Sequence, residues 1–147
     1  MPSKHNKLES AIVEEFTPRF IPNAKPLFLR GAGKKPFLLD ETSFGKLGVS
    51  VSEHRNFPDV ILYDSKKKWL FLIEAVAVKD LISPKRRFEL ENLFKKCKCG
   101  KVYITAFWNF ATYTKHIDDI AWETEVWIAE MPSHMIHLNG DKFLGPR

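Results

Sequence analysis

The sequence predicts an α/β fold, a mixed β-sheet flanked by helices on both faces, from three observations. Val60 to Tyr63 and Trp69 to Val78 are β-rich runs separated by the polar turn Asp64-Ser65-Lys66-Lys67-Lys68, which reads as a hairpin. Val102 to Phe107, a helical stretch near Phe110 to Ala121, and Glu125 to Ala129 have the spacing of a right-handed crossover between parallel strands. Amphipathic helical periodicity before and between these runs supplies the covering layers.

The first helix is predicted over Lys7 to Phe16, with Leu8, Ile12, Val13 and Phe16 on one side, and Pro18 and Pro22 are expected to stop it. Ala24 to Val51 gives weaker signals: a short strand at Pro26 to Arg30 and a short helix near Glu41 to Leu47 capped by Asp40. After the hairpin, Ser83 is a good N-cap with Pro84 at the first helical position. Phe88, Leu90, Leu93, Phe94 and Cys97 give that helix a mostly buried stripe, and Gly100 is expected to end it. Asn139-Gly140, between Met135-Ile136-His137-Leu138 and Lys142-Phe143-Leu144, predicts a C-terminal hairpin.

The chain's 147 residues, 44% hydrophobic and 13% aromatic, suit one compact domain over residues 1–147, and no repeat or linker divides it. Lys and Arg total 23 against 18 Asp and Glu, a net charge of +5, the sign expected of a protein that approaches phosphate. Met1 to Lys7 lacks the apolar stretch of a signal peptide, and the longest uncharged apolar run, Trp69 to Ile73, is too short to span a bilayer. A cytoplasmic protein is therefore expected. Cys97 and Cys99 are expected as reduced thiols, because one intervening residue would strain a bridge. Their spacing from His134 and His137 is poor for structural zinc.

If the hairpin closes symmetrically, Asp64 faces Trp69, Tyr63 faces Leu70, and the same register carried outward sets Asp59 opposite Glu74. Their Cβ atoms would lie about 4.5 to 5.5 Å apart on one face, near enough to share a cation. Glu74 also interrupts Trp-Leu-Phe-Leu-Ile and Ala-Val-Ala-Val, a run that reads as a strand buried on both faces. An unpaired carboxylate there costs several kcal/mol, and hard oxygen ligands of this kind suit Mg²⁺. The competing reading pairs Glu74 with a nearby Lys or Arg and leaves Asp59 capping a strand.

Phosphodiester hydrolysis further needs charge neutralisation at phosphate, work that a metal and a lysine can share. The position two after Glu74 is Val76, and Lys79 has the wrong strand parity. Lys85 lies at the start of the following helix, where Lys85-Arg86-Arg87 opposes the helix dipole unless an anion visits. Lys85 is therefore the first candidate and Lys79 the reserve, with Arg86 and Arg87 on the DNA backbone. A solvated basic face pairing with Glu89 and Glu91 is the alternative.

Phe57-Pro58-Asp59-Val60 followed by Trp69-Leu70-Phe71-Leu72-Ile73-Glu74-Ala75-Val76 resembles the PD-(D/E)xK nuclease superfamily and, more narrowly, BsuBI/PstI-type restriction endonucleases. The similarity continues through Ile82-Ser83-Pro84-Lys85-Arg86-Arg87, Val102 to Phe107, Ile120 to Trp127, His134 to His137 and Asn139-Gly140-Asp141. It implies a restriction-endonuclease-like core and Mg²⁺-dependent cleavage of double-stranded DNA at a short palindrome, CTGCAG-like. By resemblance, Asp59, Glu74 and the Ala75 carbonyl hold the metal, Lys85 replaces the superfamily lysine missing at Val76, and a helical acid such as Glu15 assists. A palindromic target favours a homodimer. Enzymes of this type also carry a substantial N-terminal region that this chain is expected to lack. Two other functions stay open: a repair or recombination nuclease on the same core, and a DNA-binding module whose site has degenerated.

Overall fold

The computed structural model describes residues 4–77 and 81–141. Among these, seven strands form one sheet in the order β2-β1-β3-β4-β5-β6-β7. They are β1 (Lys25–Leu29), β2 (Leu38–Leu39), β3 (Val60–Asp64), β4 (Trp69–Val76), β5 (Gly100–Phe107), β6 (Thr124–Ile128) and β7 (Met135–Leu138). The β4–β5 and β5–β6 pairs are parallel and the other four antiparallel, the mixed sheet that the two kinds of connection predicted. The β3–β4 hairpin closes in the symmetric register, from Asp64 opposite Trp69 to Val60 opposite Ile73.

Strand alternation sorts the apolar side chains onto two faces. Val60, Leu62, Phe71, Ile73 and Ala75 pack beneath the N-terminal helix through Leu8, Ile12 and Phe16. On the other face, Ile61, Leu70 and Leu72 meet Phe44 of α3 (Glu41–Lys46) and Leu90 of α4 (Pro84–Leu93), with Phe57 and Phe94 between them. Each such fully buried side chain stabilises the fold by roughly 1.5–3 kcal/mol. Further along that face, Val76 and Phe107 join Tyr113 of α5 (Phe110–His116). Asp59 and Glu74 have the parity of this second face.

The caps follow the sequence. Asp40 accepts the Ser43 N–H at 3.0 Å and starts α3; Ser83 accepts the Arg86 N–H at 3.1 Å and starts α4.

Several expectations are corrected. The N-terminal helix does not stop at Pro18: α1 (Lys4–Ala11) runs through a π-helical turn (Ile12–Phe16) into α2 (Thr17–Phe20). The Thr17 N–H reaches back five residues to the Ile12 carbonyl, and this widened turn relieves the contact by which a proline ring breaks a regular helix. Phe88 is 64% exposed, whereas Leu90, Phe94 and Cys97 are buried as expected. Gly100 begins β5 instead of ending α4, and the Trp69 indole lies so close that any Cβ at Gly100 would collide with it.

Cys97 and Cys99 are joined by a disulfide: the turn after α4 folds their Cα atoms to 5.4 Å, within the range a bridge spans. The α5 segment is shorter than expected, passing into a 3₁₀ turn at Ile117–Asp119. The C-terminal strand β7 pairs back onto β6, while Lys142-Phe143-Leu144 lies outside the described residues.

Candidate active site

The hairpin register delivers Asp59 and Glu74 side by side, and the two are cross-linked through backbone. The Asp59 N–H donates to Glu74 Oε1 at 3.0 Å, and the Ala75 N–H donates to Asp59 Oδ2 at 2.9 Å. Both carboxylates are buried, at 4% and 3% exposure. Such a pair is costly without cations, and two arginines supply them. Arg30 Nε donates to Asp59 Oδ1 at 3.1 Å, and Arg86 Nε donates to Glu74 Oε2 at 2.7 Å.

The same guanidiniums brace the 3₁₀ turn at His54–Asn56 that leads into β3. Arg30 Nη2 donates to the carbonyls of Phe57 and Arg55, and Arg86 Nη2 to the Asn56 carbonyl at 3.0 Å. Arg86 also reaches Glu89 Oε2 at 3.4 Å. Burial above all, then the Asp59 charge, pushes the Glu74 carboxyl up to about 8 against the pull of Arg86. Thr105, beside Glu74 in the β4–β5 register, accepts the Ile82 N–H at 3.1 Å and fixes the approach to α4.

The pair lies in a cavity of about 840 Å³ whose wall is rich in cations, including Arg30, Lys34, Arg55 and Arg86. Among the described residues no cluster of three or more acidic, His or Cys side chains is arranged as a metal cage. The oxygen donors at the pair itself are those of Asp59 and Glu74, with Ala75 next in the strand, and the Glu89 carboxylate, bonded to Arg86, also lines the cavity.

The other expected site residues are placed differently. Lys85 is exposed on α4 and does not line the cavity; its neighbour Arg86 makes the contact with Glu74. Arg87 turns to the β6 side, donating to Glu91 at 2.9 Å and the Trp122 carbonyl at 2.7 Å, and lies over the Tyr103 ring. Lys79 lies outside the described residues. Val76 is buried among apolar side chains.

Glu15 is exposed on the π-helical turn, whereas Glu9 is buried and accepts the Gly31 N–H at 3.0 Å. Trp108 and Phe110 are 41% and 48% exposed, while Asn109 caps α5 by accepting from Thr112.

Sequence reasoning missed Arg30 and Glu9. Arg30 sits in the stretch with the weakest periodicity, and its partner is 29 residues away. Glu9 offered one signal, a carboxylate next to Leu8 on the face that was assigned to the core.

Similar proteins include the type II restriction enzyme BsuBI of Bacillus subtilis, 43% identical over 145 residues, which take in 99% of this chain and 46% of that protein. Another is the type II restriction enzyme AplI of Arthrospira platensis, 37% identical over 115 residues, 76% of this chain and 35% of that one. The solved SdaI restriction endonuclease matches 99% of this chain with a TM-score of 0.88 and 39% identity, using 46% of its own length. The fold is thus that of a restriction endonuclease.

Within that class, the BsuBI/PstI restriction endonuclease domain matches residues 1–141, and the chain belongs to that family. It spans less than half the length of each of these relatives.

Proposed function

We propose that this chain is the catalytic domain of a type II restriction endonuclease, hydrolysing phosphodiester bonds of double-stranded DNA at a short palindromic site, CTGCAG-like, with Mg²⁺ as cofactor. One observation carries the reading: two buried carboxylates, cross-linked through backbone, sit in a cation-walled cavity. Similarity to enzymes named as type II restriction enzymes supports the substrate and the cut.

The donor set fits the cofactor, because Mg²⁺ is ordinarily held by one or two carboxylates and completed by water and substrate phosphate. Asp59 and Glu74, with the Ala75 carbonyl, would hold it, and when bound it supplies charge stabilisation at the phosphate. Arg30 and Arg86 orient the two carboxylates and place two fixed positive charges in the same cavity, where a phosphate would gain negative charge as its phosphorus becomes pentacoordinate. In this reading Arg86 stands where Lys85 was expected, beside Glu74. Lys85, near the start of α4, contacts backbone phosphate; the chemistry leaves room for Lys79 as a second cation. A two-fold homodimer would give each strand of a palindrome its own site. The reading implies action in the cytoplasm, and no described helix is long and apolar enough to cross a membrane.

The test is cleavage of mixed-sequence duplex DNA with Mg²⁺ or EDTA, wild type against Glu74→Ala. Metal-dependent cutting that the substitution abolishes is expected, and fragment ends report the recognised bases. A second reading, a DNA-binding module without cleavage, is favoured by the apolar setting of Val76 and the arginine on each carboxylate. Under it, Asp59→Asn keeps or improves affinity and Mg²⁺ changes nothing.

A further inference from the structure

The cations around the site fall into two groups. Arg30, Arg86 and Arg87 are held in ion pairs with buried or neighbouring carboxylates. Lys34 and Arg55 also line the cavity of the carboxylate pair, and among the described residues neither side chain has an ion-pair or hydrogen-bond partner. They approach from different segments: Lys34 from the β1–β2 loop, Arg55 from the 3₁₀ turn before β3.

Both segments are tied to Asp59 through Arg30. The Arg30 N–H donates to the Asp59 carbonyl at 2.9 Å and the Phe37 N–H to the Arg30 carbonyl at 3.3 Å, closing the loop on the strand that carries Asp59. Gly31 begins that loop with φ +70 and a contact to Phe37 Cβ that leaves little room for a side chain, and its N–H is held by Glu9. The other segment is tied down at the Arg55 carbonyl by Arg30 itself. One guanidinium therefore fixes the spacing between Asp59 and the turn bearing Arg55, while the backbone of the same residue closes the loop bearing Lys34.

We infer that Lys34 and Arg55 are phosphate-binding residues that grip the DNA strand on either side of the bond to be cut, so the strand's backbone runs between the β1–β2 loop and the 3₁₀ turn. The inference rests on the nuclease reading above and adds the path of the substrate. Unpaired cations have the needed property: they can neutralise phosphate without releasing a buried carboxylate, which Arg30 and Arg86 cannot. Backbone contacts of this kind position the duplex and carry no base preference.

The test is fluorescence anisotropy of a labelled duplex in Ca²⁺, titrated between about 50 and 200 mM NaCl. The variants are Lys34→Ala, Arg55→Ala, their double and Lys66→Ala, the last at the far end of the hairpin. Each single cavity substitution should lower the slope of log affinity against log salt by about 1, and the double by about 2, on every duplex sequence alike. Lys66→Ala should leave the slope as in wild type. All these side chains are exposed, and circular dichroism checks that each variant folds.

A wild type that binds, with a slope that neither cavity substitution moves, overturns the strand path and leaves the nuclease reading standing. A wild type that does not bind duplex DNA overturns both.

Discussion

Strand β3 and its flank carry two buried aspartates, one at each end of the hairpin, and they do opposite work. Asp64 at the turn is 3% exposed and accepts the N–H groups of Lys66 and Lys67 at 2.9 and 3.1 Å. These donors are two and three residues away, so Asp64 folds its own turn. Asp59 at the other end is as deeply buried, yet its partners come from Arg30 and Ala75, 29 and 16 residues distant, and a second carboxylate stands beside it. Burial alone does not tell the two acids apart. What separates the two ends is whether the fold brings distant groups together to hold a second charge in place.

Substitutions at the two ends sharpen that contrast. The largest expected effect is on cleavage: Asp59→Ala or Glu74→Ala should lower single-turnover cutting by about a hundredfold or more, as loss of a central electrostatic group does. Cleavage by Asp64→Ala, measured per folded molecule, should be unchanged; a matching loss would erase the distinction.

Next is Arg86→Leu, which leaves Glu74 buried without its cation and should cost about 2–4 kcal/mol in urea unfolding at pH 9. The cost should shrink at pH 6, where Glu74 takes up a proton. The pH dependence of the metal-free protein follows from the same carboxyl. Its folded pKa, about 8, lies above the ordinary 4.5, so its contribution to stability is full below pH 4.5 and is lost as pH rises through about 8. Glu74→Gln should remove that decline; unfolding curves at pH 6 and pH 9 check it. A cation needs the ionised carboxylate, so apparent Mg²⁺ affinity by calorimetry should climb as pH approaches 8 and level off above it.

The smallest effect is Asp64→Ala, about 1–2 kcal/mol of stability from two backbone donors left without an acceptor. Thermal unfolding measures it.

How much of this was legible follows the same division between near and far. The facing register of Asp59 and Glu74 could be read because a hairpin's register depends on its turn and on alternation along two short strands. Ser83 and Asp40 were legible as caps for the same local reason. Arg30 was not, because nothing within a few residues of it announces a partner 29 positions away. The charge at the helix start points to Lys85 ahead of Lys79, but which residue of Lys85-Arg86-Arg87 faces the sheet depends on how α4 is rotated about its axis. That rotation is set by Leu90 and Phe94 in the core. Phe88 shows the same limit: an apolar side chain inside an amphipathic helix is 64% exposed.

The π-helical turn at Ile12–Phe16 has a consequence for how this chain tolerates length changes. Each residue of a regular helix advances the chain by about 100° around its axis, and a π turn accommodates one residue more than a regular turn. Deleting a single residue between Ile12 and Phe16 would remove the widening that accommodates Pro18 and would rotate everything before it by about that angle. Leu8 would swing off the sheet, and Glu9 would leave the Gly31 N–H it now holds. The inserted residue thus works as a phase shift, letting one continuous helix keep two segments on the sheet and bring a carboxylate to the loop beside the cavity.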